Sequence, residues 1–112
     1  MRYAVPVSNG RLSSHFGHCE HFAIVDVDEV DKTITNKELV TPPPHEPGVY
    51  PGWLAEQGVA VVIAGGIGSR AQGLFKQNNI RVVVGAAEVD PEEAVLDYIQ
   101  GHLSVGENVC DH

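Results

Sequence analysis

Apolar and polar positions alternate from Met1 to Val7 and stop at the turn cluster Ser8-Asn9-Gly10, a pattern that predicts a strand. Phe22 to Asp28, FAIVDVD, is apolar and β-branched and predicts a second strand. After the charged stretch Glu29 to Lys32, TITNKELV over Thr33 to Val40 alternates again and predicts a third strand, paired back as an antiparallel hairpin. Thr41 to Gly52, TPPPHEPGVYPG, predicts an ordered but irregular loop, because proline fixes φ and removes amide donors.

Pro51 suits the first position of a short helix that carries Trp53 and Leu54 and ends at Gly58. The continuous apolar run Val59 to Ala64 predicts a strand buried on both faces. Gly65-Gly66-Ile67-Gly68 then opens a helix with Ala71, Leu74 and Phe75 on one face, stopping at Asn78-Asn79. Arg81 to Val84 predicts another strand. Asp90-Pro91-Glu92-Glu93 is a helix start, with Val95, Ile99 and Leu103 recurring on one face. The tail from Gly106 to His112 is expected to be loose. The order is βββαβαβα, and the β-α-β half requires parallel strands with a right-handed crossover. One mixed sheet with helices on its faces is the α/β architecture this implies.

The chain has 112 residues, 43% hydrophobic and 20% charged, which is the composition of one globular domain, taken as 1–112. No apolar run reaches the roughly 20 residues of a membrane span, and MRYAVPVSNG does not read as a secretory signal. The expectation is a cytoplasmic protein without a membrane partner. A formal charge of -8 works against nonspecific nucleic-acid binding, which needs a basic surface. Cys19 and Cys110 are far apart, form no CxxC pair and give no disulfide framework.

Candidate chemistry concentrates in three places. In SSHFGHCEHF, His15, His18 and His21 are spaced at three with Cys19 among them, and imidazole and thiolate are ligands of zinc, iron, copper and nickel. The spacing matches no closed zinc-finger register, so an open or labile metal site is expected. In the other reading, Phe16 and Phe22 anchor the turn and the histidines are solvated. His45 stands between prolines in PHEPG, where a stiff loop presents an imidazole at low entropic cost. In VIAGGIGSRA a buried strand runs through Gly65, Gly66, Ile67, Gly68 and Ser69 into a helix start, whose amides attract anions, with Arg70 as a forked cationic donor. The glycines also serve to pack the helix close to the sheet. The dinucleotide-like spacing there lacks the context of that fold. Cys110 and His112 could fold back as extra ligands. No carboxylate set for a metal nuclease and no nucleophile elbow is present, so nothing calls for an enzyme.

Taken in order, the motifs G-x-L-x-x-HFG (10–17), PH-x-PG (44–48), WL-x-x-x-GV (53–59) and IAGGIG-x-RA (63–71) resemble the dinitrogenase iron–molybdenum cofactor biosynthesis family, which includes NifX-like carriers and the C-terminal part of NifB. The resemblance runs from the first strand to Gly85. It implies a ribonuclease H-like α/β/α sandwich with a five-stranded mixed sheet of order 3-2-1-4-5. It implies transient binding, without turnover, of a molybdenum- or iron-containing sulfide cluster or its precursor, with copper as a further candidate metal. His15 and His45 would then be ligands and Gly65, Gly66, Gly68 and Arg70 would lie near the anion; His18, Cys19 and His21 extend the core motif. Donor and acceptor proteins for the cluster are implied as partners. The alternative is an enzyme or sensor that binds a phosphorylated small molecule at the glycine-rich loop, and a third reading is a regulatory module that binds protein through the proline-rich loop.

Overall fold

The structure, a computed structural model, describes residues 1–13, 19–43, 49–84 and 90–101. Its strands are β1 (Arg2–Ser8), β2 (Arg11–Leu12), β3 (His21–Asp28), β4 (Thr33–Val40), β5 (Val61–Ile63) and β6 (Arg81–Val83), and its helices are α1 (Val49–Glu56), α2 (Ser69–Gln77) and α3 (Pro91–Ile99). They form a mixed sheet in the order β4-β3-β1-β5-β6, with β2 paired to β1 off this path. The sheet therefore has six strands, not the expected five. The added strand comes from Asn9 and Gly10, whose φ of 54° and 78° make the left-handed pair of a tight hairpin turn. That turn sends Arg11 and Leu12 back against Ser8 and Val7.

The pleat separates two cores. Tyr3, Val5, Val7, Ala23, Val25 and Val27 point to one face and are covered by Ala94 and Val95 of α3. Ala4, Phe22, Ile24 and Val62 point to the other and are covered by Tyr50 and Leu54 of α1 and Phe75 of α2. A helical layer thus lies on each face.

Helix ends follow capping chemistry. α1 starts at Val49, two residues before the expected start, so Pro51 is its third residue; its missing donor still falls in the first turn, where no intrahelical partner exists. Gly58, at φ 79°, ends α1: its amide donates to the Ala55 carbonyl and that of Val59 to Leu54 at 3.1 Å. Asn79, at φ 59°, ends α2 in the same way, with Ile80 N–H donating to the Phe75 carbonyl at 3.0 Å. Both are Schellman closures, and Leu54–Val59 and Phe75–Ile80 supply buried apolar residues at the positions that accompany one. Asp90 caps α3 by accepting from the Glu92 amide at 2.9 Å, as its sequence predicts. Leu103, expected on the apolar face of α3, and the tail from Gly106 lie outside the described residues.

Candidate functional site

β1, β4, β5 and β6 all run in one direction, because β5 is parallel to β1 and β6, and β4 is antiparallel to β3, which is antiparallel to β1. Their last residues, Ser8, Val40, Ile63 and Val83, therefore end at one edge of the sheet, where β3 begins at His21. The histidine-rich, proline-rich and glycine-rich segments leave from or enter this edge. It is also where α1, α2 and α3 start, so the positive ends of three helix dipoles face it. Ligands in open α/β sheets bind outside such carboxyl ends, where the chain reverses its direction across the sheet.

Backbone bonds tie the edge together. Ser13 is buried; its amide donates to the Pro6 carbonyl at 2.7 Å, and its carbonyl accepts from Gly65 N–H at 3.4 Å. The start of the histidine-rich stretch is thereby attached to the glycine-rich loop, which is distant from it in the chain. Glu20 N–H donates to the Val7 carbonyl at 2.8 Å, while the Glu20 carboxylate accepts from Asn9 N–H at 2.7 Å. Ser13 and Glu20 thus fix both sides of the stretch that contains His15 and His18. Those two histidines, His45, Cys110 and His112 lie outside the described residues.

The glycine-rich loop is anchored at its base and open at its end. Gly65, Gly66 and Ile67 are buried, Gly68 is half-buried, and Ser69 and Arg70 are exposed. Ile67 is fully buried in the core under α1 and α2, and Gln72 Nε2 donates to its carbonyl at 3.0 Å. Gly68 is the N-cap residue of α2, and with no side chain it leaves the helix start without a side-chain cap. Among the described residues Arg70 forms no ion pair.

Cys19 is half-buried and packs against the same core as Ile67. Close by is an aromatic cluster in which Phe22 meets Tyr50 edge-on at 5.4 Å and Trp53 at 5.6 Å. Tyr50 is buried in this core and Trp53 packs against it. Burial pushes the Cys19 thiol up to about 11, so it is protonated at neutral pH. His21 has a different position. It opens β3 opposite Val7, is exposed, and shares the pleat direction of Ala23 and Val25 toward the α3 face. Cys19 and His21, two residues apart, are thus directed to opposite faces of the sheet. Cys19 is on the face of the glycine-rich loop and His21 is not. Among the described residues no three His, Cys, Asp or Glu side chains are grouped to hold a metal ion.

Sequence reasoning missed Ser13, whose backbone joins the two motifs. Ser8-Asn9-Gly10 reads as a turn, but an Asn-Gly pair after an alternating run is also a hairpin signal. Applied to Arg11 and Leu12, that signal would have brought the Ser13 segment back beside β1. No described helix is long and apolar enough to cross a membrane.

Known proteins share this architecture. A protein of Methanocaldococcus jannaschii, MJ0580, is 35% identical over 108 residues, covering 92% of this chain and 89% of its own length. The crystal structure of PH0822 superposes with a TM-score of 0.85 at 30% identity, covering 94% of both chains. The apo form of the orange protein from Desulfovibrio gigas has the same fold, with a TM-score of 0.72 at 22% identity over 96% of this chain and 93% of that one. Residues 1–101 match the family described as dinitrogenase iron-molybdenum cofactor, so the match takes in both sheet halves, all three helices and the whole loop edge. By that match this chain is a member of the dinitrogenase iron-molybdenum cofactor family.

Proposed function

We propose that this protein is a non-catalytic carrier for an iron–molybdenum cofactor precursor or a related metal–sulfur cluster. The cargo would be held at the sheet edge described above. In this reading 1–112 is a single NifX-like domain of ribonuclease H-like build, acting in the cytoplasm between cluster donor and acceptor proteins. The bond from Gly65 N–H to the Ser13 carbonyl is the observation that carries the reading, because it brings the histidine-rich stretch and the glycine-rich loop to one place.

The chemistry has two parts. A thiomolybdate or iron–molybdenum–sulfur species is an anion, which the start of α2 and Arg70 would attract. Its metals would take imidazole and thiolate from His15, His18, His45 and Cys19. Copper, if present in the cargo, would accept the same donors. Because the Cys19 thiol is protonated when free, ligation there must release a proton. His21, directed to the α3 face, would lie at the rim and matter least. Few ligands on loops, without a closed cage, suit a protein that must give its cargo up.

The test is anaerobic incubation with molybdate, ferrous iron, cuprous copper and sulfide, followed by gel filtration, visible absorption and metal analysis. A coloured protein with bound molybdenum or iron is expected. A colourless, metal-free protein that instead gains thermal stability from phosphate esters would replace this reading with a phosphorylated small molecule at the uncapped start of α2.

A further inference from the structure

A cavity of about 680 Å³ opens at the other end of the sheet, where β1, β5 and β6 begin, on the α3 face. Its floor is apolar and includes Val27, Val61 and Ile99. One wall is the half-buried Tyr98 ring, which meets the buried Tyr3 ring edge-on, with centroids 5.9 Å apart at 66°. Its rim carries Lys32, Arg81 and Glu29. With the Met1 ammonium, three cationic groups and one carboxylate line the cavity, a local excess of positive charge on a chain whose formal charge is -8.

These cations are not committed elsewhere. Among the described residues neither Lys32 nor Arg81 forms an ion pair. Arg81 Nη1 donates to the Tyr98 hydroxyl at 3.4 Å, a long bond that fixes the guanidinium beside the aromatic wall without neutralising it. The Met1 ammonium, which also lines the cavity, donates to the Val27 carbonyl at 3.1 Å. Burial raises the Tyr3 phenol, with smaller contributions from Tyr98 and Glu29, so its hydroxyl remains a donor at neutral pH. An apolar floor, an aromatic wall and converging donors at one rim are the features of a pocket for a small organic ligand.

We infer that this cavity is a second binding site, separate from the loop edge, for a small aromatic carboxylate: the ring lies against Tyr98, which is backed by the buried Tyr3, and the carboxylate meets Arg81 and Lys32. Glu29 disfavours a second negative charge on the ligand, so a monoanion is preferred over a dianion.

Phenylacetate is a suitable probe, titrated into the full chain and followed by amide shifts in two-dimensional NMR. Saturable shifts at Tyr3, Arg81, Tyr98 and Ile99 are expected, with a Kd on the order of 1 mM for a ligand of this size. The neutral isostere phenylacetamide should bind about tenfold more weakly. Arg81→Gln should weaken phenylacetate by about the same factor and Lys32→Gln by less, while Arg11→Gln, on β2, should leave it unchanged. Both cations are on the surface, so dispersed spectra will verify that these variants are folded. Absence of saturable shifts, equal binding of phenylacetamide, or unchanged binding in both Arg81→Gln and Lys32→Gln overturns the inference.

Discussion

The two ends of the sheet are built by opposite means. Where β1, β5 and β6 begin, side chains and caps close the chain on itself. Arg2 Nε donates to Asp26 Oδ1 at 2.8 Å across β1 and β3, and its Nη1 donates to the Gln57 carbonyl at the end of α1. Two Schellman closures bring α1 and α2 into β5 and β6, and the Asp28 carboxylate accepts from the Val30 and Asp31 amides to shape the hairpin. Where the parallel strands end, the bonds are mainly backbone to backbone, the loop is rich in glycine, and Gly68 leaves the start of α2 uncapped. One end ties the chain together with side-chain bonds and caps beside its cavity, and the other leaves the start of α2 without a side-chain cap. This division explains how a small domain can tolerate an open, glycine-lined edge.

The comparison can be broken first at the base of the loop edge. Phe22 is fully buried and supports Tyr50 and Trp53, so Phe22→Ala should cost about 4 kcal/mol of unfolding free energy in urea titration. A loss below about 1 kcal/mol would show that the aromatic cluster is not what supports that edge.

Cys19 sharpens the comparison next. In a Cys110→Ser background, iodoacetamide should modify Cys19 about a hundredfold more slowly at pH 8 than a free thiol, because so little thiolate is present when its value is about 11. The folded thiol holds its proton more tightly than the unfolded one. Its contribution to stability is therefore complete below about pH 9 and is lost as the pH rises toward 11. A reaction rate matching free cysteine would place the thiol in solvent.

The closed end is tested by Arg2→Ala. It should lower stability by about 1 kcal/mol, a value reduced because both side chains are partly exposed at 40% and 30%. The Arg2 guanidinium, through its hydrogen bond first, holds the Asp26 carboxyl below its ordinary value of 3.8. The stabilisation is thus complete above that value and is lost as the pH falls through the depressed one. In Arg2→Ala the acid limb of the stability–pH curve should flatten. The smallest effect is expected for the Lys37–Glu92 pair at 2.9 Å, where Lys37→Ala should cost at most about 0.5 kcal/mol.

Much of the fold was legible because periodicity and capping act locally. The alternation of RYAVPV and TITNKELV and the apolar, β-branched run FAIVDVD predicted β1, β4 and β3, and Asp90-Pro91 predicted the start of α3. Arg11–Leu12 escaped notice because two residues cannot show a period. Helix α1 began early because Pro51 is tolerated throughout the first turn, so the proline bounds the start without fixing it. The candidate site was legible as a set of motifs but not as a geometry. Three-residue spacing of His18 and His21 suggests convergence, yet it cannot tell which residue starts the pleat. Only the register Val7–His21 turns His21 toward α3 while Cys19 stays with the glycine-rich loop. The cavity beside Tyr98 had no sequence signal, since its lining comes from five separate parts of the chain.

The central claim is that the cargo is held by the loop edge and by nothing at the other end. Metal-to-protein ratios after anaerobic loading of the wild type, His15→Ala, His45→Ala and Arg2→Ala test it most directly. The account predicts at least a roughly tenfold loss of bound metal in each histidine variant and full loading in Arg2→Ala. Equal loading in all four proteins, or a loss confined to Arg2→Ala, would contradict it.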